Sequence, residues 1–194
     1  MSLEQHVYSV LVVSAMDNFN SALASLLPEA SYSPVQTVSS VSTAKRMLAE
    51  RHYDFVIVNS PLPDDPGTRL AIDACAVSGT VVLLLVKSES YISVYDKVVV
   101  HGVFTLSRPI SRQSLLLALG WMASARERLR KIEKKTLSIE DKMEEIRLVN
   151  RAKWLLISEL KMDEPQAHRY IEKQAMDMCV SKRRVAEEII RTYS

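Results

Sequence analysis

The residues best suited to chemistry fall in two sets at opposite ends of the chain. Near the C-terminus, Lys182, Arg183 and Arg184 follow Ser181 at the expected start of a helix. Cations there oppose the helix macrodipole, at a cost of a few tenths of a kcal/mol each, up to about 1. A phosphate chain approaching that end would meet free N–H groups and three positive charges together; a solvated charged face is the simpler alternative. Arg147, Arg151, Lys153, Arg169 and Lys173 form a second basic set on the two preceding helical stretches, where Arg169 could pair with Glu172 and Lys173 with Asp177. His168, Tyr170 and Trp154 offer flat faces for stacking a base, for core packing or for solvent. The other set lies after apolar runs in the N-terminal half, at Ser14–Asp17, Asn59–Pro63, Val86–Ser88 and Ser107–Arg108. Ligands of parallel α/β sheets bind beyond the carboxyl ends of such strands. Cys75 and Cys179 are far apart and no metal-ligand spacing occurs, so the expectation is reduced thiols, no metal and no cofactor.

Charge separates the two halves. Residues 1–125 carry 8 Lys/Arg against 10 Asp/Glu, a balance of −2, and residues 126–194 carry 17 against 13, a balance of +4. A polyanionic partner therefore suits the C-terminal third. No apolar run approaches the roughly 18–20 residues of a membrane span, and the N-terminus lacks a signal-peptide layout. The expected setting is the cytoplasm, without membrane association.

The elements that would position the first set alternate. Val7–Val13, Val35–Val38, Phe55–Val58, Thr80–Val86 and Val103–Leu106 read as buried strands. Helices lie between them, one opening at Asp17 and stopped at Pro28, one capped by Ser42, one from Thr68 to Ala76 and a weaker one over Ser88–Val99. This predicts a five-stranded parallel sheet with helices on both faces over residues 1–123.

From Ala125 to Asn150 there is no Gly or Pro, and Leu129, Ile132, Thr136, Ile139, Met143 and Ile146 recur at alternating spacings of three and four. That is the pattern of a coiled-coil seam. In a parallel dimer it pairs Arg128 with Glu133 and Lys135 with Glu140, while Lys142 faces Arg147 and breaks the pattern. A lone solvated linker helix is the alternative. We read residues 124–146 as a coiled-coil linker in a homodimer, whose chains diverge near the Lys142–Arg147 clash. Beyond it, Asp163 with Pro165 and Gln166 signals a capping box. Two further helices follow, the first burying Ala167, Tyr170, Ile171, Ala175 and Met178, the second Val185, Ala186, Ile189 and Ile190.

Two resemblances attach to these residues. VNSPLPDDPG after the third strand and SRP after the fifth resemble a response-regulator receiver domain of two-component systems. In that family two acidic residues bind Mg²⁺, an Asp accepts phosphate, a hydroxyl follows strand four and a Lys precedes Pro. Here those positions hold Ser14 and Ala15, Asn59, Val86 (with Ser88 as the other alignment) and Arg108. Mg²⁺ needs hard anionic oxygens, and an amide cannot replace the carboxylate nucleophile. The resemblance thus implies a degenerate phosphoacceptor pocket, with Arg108 left to pair with Asp17 or Asp54 or to cap carbonyls.

RLVNRAKWLLI, DEPQAHRYIEKQAMD and SKRRVAEEII resemble the ANTAR domain of transcription antitermination regulators over residues 139–194. The family's Ala-Lys falls on Ala152-Lys153, its Glu-x-x-Ala on Glu164 and Ala167, its Ala-Met on Ala175-Met176, and its Val-Ala on Val185-Ala186. Trp154 departs from a common Gly and implies a larger packing surface. This resemblance implies RNA binding rather than enzymatic activity. A dimer would hold hairpin loops of a leader transcript so that a terminator cannot form, under the control of a sensor protein docked on the receiver-like domain. Arg147, Arg151, Lys153, His168, Arg169, Tyr170, Lys173, Lys182, Arg183 and Arg184 are the expected RNA contacts. The alternatives are a DNA-binding response regulator and a protein-interaction scaffold that has lost nucleic-acid binding.

Overall fold

A computed structural model describes residues 6–193, in two compact units that meet in sequence between Lys131 and Ile132. In the first unit the apolar runs become β1 (Tyr8–Val13), β2 (Tyr32–Val38), β3 (Phe55–Asn59), β4 (Val81–Lys87) and β5 (Phe104–Arg108). All pair in parallel in the order β2-β1-β3-β4-β5, the doubly wound order of flavodoxin-like folds. Helices α1 (Asp17–Ala24), α2 (Val41–Glu50), α3 (Thr68–Cys75), α4 (Tyr91–Val98) and α5 (Arg112–Leu160) complete the alternation. Strand alternation sends Leu11, Val13, Val56, Val58, Val82 and Leu84 into one core with α2, α3 and α4. Val10, Val12, Phe55, Ile57, Leu83 and Leu85 enter the other, against α1 and the start of α5. Both faces are covered, which is why the central strands read as unbroken apolar runs.

Local chemistry moved several boundaries. The side chain that caps α2 is Ser40, whose Oγ accepts from Thr43 N–H, rather than Ser42. Asp64 reaches across from the loop after β3 and accepts the Val41 and Ser42 N–H groups at 2.9 and 3.0 Å. Those bonds hold its carboxyl below the usual range. Asp17 is the first residue of α1 and makes no cap; Met16 stands at the cap position. Its charge still complements the positive end of the helix. The helix ends at Ala24, short of Pro28. Strand β2 starts at Tyr32 and runs through Pro34, which an edge strand tolerates. Gly67, at φ +77°, precedes α3, and a Cβ there would stand 2.9 Å from Val58 Cγ1.

At the amino end of the sheet, Asp54 organises a polar clamp. Its carboxylate accepts from the Ser9 N–H and Oγ, each at 2.9 Å, and from Arg126 Nε at 2.7 Å, with Arg130 at 3.4 Å. Burial pushes the Asp54 pKa up, but Ser9 and Arg126 outweigh it and hold the group below its ordinary value. Beside it Tyr8 donates to Glu127 at 3.0 Å; burial and that carboxylate raise the phenol to about 12.

The second unit contains the remainder of α5, α6 (Glu164–Asp177) and α7 (Lys182–Tyr193). Ala152, Leu156, Ala167, Ile171, Ala175, Val185, Ala186 and Ile189 form its core, with Val180 and Ile190 packed at the edge. The Asp163–Gln166 capping box is present in both directions. Ser181 Oγ accepts from Arg184 N–H at 3.3 Å and starts α7. Tyr170 and Met178, expected in this core, are exposed, because only the 167–171–175 stripe of α6 faces inward. Trp154 adds no packing surface either: it is 73% exposed, on the side of α5 away from Ala152 and Leu156.

Candidate functional site

Beyond the carboxyl ends of the strands, the receiver-type positions converge. Ser14 and Asn59 are each 1% exposed, and Asn59 Nδ2 donates to Ser14 Oγ at 3.0 Å. Ser14 Oγ also accepts the Met16 N–H at 3.2 Å. Ala15 is exposed and carries no donor or acceptor in its side chain. Val86 is buried and pairs with Ser107, so an alkyl group occupies the level just before Arg108. The Ser88 hydroxyl turns to the Arg108 carbonyl instead, at 2.6 Å.

Arg108 meets neither Asp17 nor Asp54. Its guanidinium donates to the Ser60 carbonyl and lies 2.9 Å from the Met16 sulfur. Capping a carbonyl was the one expected role that the geometry realises; the Met16 contact had no sequence signal, since a thioether is not an expected partner for a cation. Asp54 is unavailable because it is spent on the clamp at the other end of the sheet. Asp65 accepts from Gly67 N–H at 2.7 Å, a turn bond. The site holds its own cation with neutral groups, and no carboxylate is directed at Asn59 or Ser14 among these contacts.

In the second unit the ten expected RNA contacts divide by pairing. Lys153 binds Glu164 at 2.8 Å. Lys182 and His168 share Glu172, at 2.6 and 3.3 Å. Arg183 bridges Glu187 at 3.1 Å and Glu144 at 3.4 Å. The lysine contacts hold the Glu164 and Glu172 carboxyls below their ordinary range. The expected Arg169–Glu172 pair does not form, because Lys182 and His168 take that carboxylate. Arg147, Arg151, Arg169, Lys173 and Arg184 are exposed, and no ion pair engages them among the described residues. Tyr170 and Trp154 are exposed flat faces beside them in sequence.

A cavity of about 420 Å³ opens between the three helices, with Ile146, Val149, Asn150 and Lys153 from α5, His168 from α6 and Lys182 from α7 on its walls. Asn150, between Val149 and Arg151, was not among the residues expected from sequence to line a site.

Of the residues expected in the seam, Ile132, Ile139, Met143 and Ile146 are between 48 and 59% exposed, and Thr136 is exposed. Leu129 is different: it is partly buried against the core of the first unit.

Residues 138–190 match the ANTAR domain. That match falls inside the second unit. Its three helices, capping box and small-residue core give that match its structural form. Along more of its length the chain is similar to the transcriptional regulatory protein PdtaR of Mycobacterium tuberculosis, 28% identical, covering 88% of this chain and 83% of that protein. It is also similar to the aliphatic amidase regulator of Pseudomonas aeruginosa, 27% identical over 62% of this chain and 61% of that one. The first unit has the receiver fold. A receiver domain from Pseudomonas fluorescens Pf-5 superposes with a TM-score of 0.58 at 24% identity, covering 68% of this chain and 96% of that one. The chemotaxis response regulator CheY4 of Vibrio cholerae gives 0.52 at 20%, covering 60% and 98%. The chain therefore joins a receiver fold to a region that matches the ANTAR domain. No helix among the described residues is long and apolar enough to cross a membrane.

Proposed function

We propose that this chain is an RNA-binding transcription antiterminator that works in the cytoplasm as a homodimer. Its ANTAR domains hold hairpin loops of a leader transcript, so that an overlapping terminator does not form. The observation that carries this reading is the ANTAR match over 138–190, on a unit whose Arg147, Arg151, Arg169, Lys173 and Arg184 are exposed and in no ion pair among the described residues. Free cations are what a phosphate chain requires, while Lys153, Lys182 and Arg183 already meet carboxylates. Two heads in one dimer would raise the effective concentration for paired loops. The half-exposed stripe from Ile132 to Ile146 supports the seam, which begins one position later than the sequence pattern because Leu129 serves the core of the first unit.

Regulation then comes without phosphorylation of the usual kind. The phosphoacceptor position is an amide bonded to Ser14, and the basic position is engaged by Ser60 and Met16. A sensor protein docked on the first unit is the proposed input, and exposed Ile92, Val100, Leu117 and Trp121 supply apolar surface for it. Cross-linking in the native cell followed by sequencing of bound transcripts tests the reading. Leader RNAs with tandem hairpins overlapping a terminator should be enriched, and their affinity should fall steeply with salt. Recovery of duplex DNA instead, or of no specific nucleic acid, would overturn it.

A further inference from the structure

We propose that the cavity between α5, α6 and α7 is a specificity pocket for one unstacked loop base of the RNA, read by the Asn150 amide. This inference rests on the RNA reading above. Three observations select a base over a phosphate. First, two of the three lysines on the wall are already paired, Lys153 with Glu164 and Lys182 with Glu172. Glu145 also lines the cavity, one turn from Lys142 on the same face of α5. A rim of matched charges repels a further anion less than it would welcome a neutral ligand with hydrogen-bonding edges. Second, Val149 brings an apolar side chain to the wall, beside Ile146 where the proposed seam ends, and a planar base requires such surface. Third, the Asn150 side chain forms no hydrogen bond among the described residues, although an acceptor and two donors stand free on it.

The ion pairs also have a positioning effect. Glu172 stands 3.3 Å from His168 Nε2 and 2.6 Å from Lys182 Nζ, so one carboxylate neighbours two residues of the cavity wall. Histidine rings are among the side chains on which splayed RNA bases stack. An Asn amide presents a donor and an acceptor side by side, the complement of adenine N7 and its exocyclic amine. Adenine is therefore the base assigned to the pocket. The phosphates on either side fall to the free cations, Arg147 and Arg151 on the same helix and Arg184 on α7.

The test starts from a pool of RNA stem-loops with randomised loops, selected on the full chain. For the hairpin that emerges, Asn150→Ala should lower affinity roughly ten- to a hundredfold. It should also abolish discrimination at one loop adenine and leave the slope of log affinity against log salt unchanged. Arg184→Ala should weaken all loops alike and reduce that slope by about one. Replacing an exposed helical Asn by Ala favours the helix, so loss of folding is not the expected cause, and thermal melting checks it. Undiminished discrimination by Asn150→Ala on a selected hairpin would overturn the pocket while leaving RNA binding intact. A reduced salt slope would make Asn150 part of a phosphate contact and overturn it too. A changed association state in sedimentation would assign the cavity to a second copy of the chain. If no hairpin is enriched at all, the RNA reading fails and this inference with it.

Discussion

Asn59 shows how a single amide changes a site without disturbing its fold. It is buried, it ends β3 where the receiver fold places its acceptor, and it spends its N–H on Ser14. Its Oδ1 and the Arg108 Nε are buried without partners, so the pocket retains unspent polarity but has no anion to use it. Restoring the nucleophile alone should achieve little. Asn59→Asp is expected to take up no phosphate from acetyl phosphate and Mg²⁺, because Ser14 and Ala15 offer the metal no carboxylate. Intact-mass analysis after incubation reads this directly, and a stable 80 Da adduct (about the mass of one phosphoryl group) would contradict the reading.

At the scale of elements, the sheet and the first part of α5 are joined by a near-buried ion pair. Asp54 and Arg126 side chains are 13% and 9% exposed, and removing one member of such a pair costs about 3 kcal/mol or more. Asp54→Asn should destabilise the first unit by that order at pH 7, measured by denaturant unfolding. The folded pKa of Asp54 lies below its unfolded value. Its contribution is thus complete above about pH 4 and is lost as pH falls through the folded value. The gap between wild type and variant should close in that acid range; a gap independent of pH would remove the carboxylate as its source. None of this was legible in sequence. Asp54 and Arg126 are 72 positions apart, and ion pairing between distant residues leaves no periodic trace. The five strands were legible because both faces of the sheet are covered, and the capping box because its signal is confined to four residues. Ser40 and Ser42 illustrate the intermediate case. Both can cap, and the choice depends on Asp64 arriving from another loop.

For the whole molecule, the proposed dimer depends on the stripe beyond Leu129. Ile139→Asp would bury a charge in the seam and should weaken association at least a hundredfold. The variant should then sediment as a single chain at micromolar concentration, with unaltered melting of the first unit. An unchanged sedimentation coefficient would place the interface elsewhere. The candidate RNA surface was only partly legible for a related reason. Composition located the basic residues, but which of them are neutralised depends on Glu144, Glu164 and Glu172 meeting them across helices. Pairing thus divides the eight lysines and arginines into five that meet no carboxylate among the described residues and three that do.

The pocket at Asn59 also bears on how such a protein evolves. Each isolated step back toward phosphotransfer is unfavourable. A carboxylate at position 59 would be buried with neither metal nor free cation to balance it, which costs stability. A carboxylate at position 14 alone would break the bond that now satisfies the Asn59 amide. Arg108 would have to leave Ser60 and Met16 before serving either. Reversal therefore needs several substitutions at once. The bonds among Ser14, Asn59, Ser60, Met16 and Arg108 thus make single substitutions at this end of the sheet self-limiting while the fold stays intact.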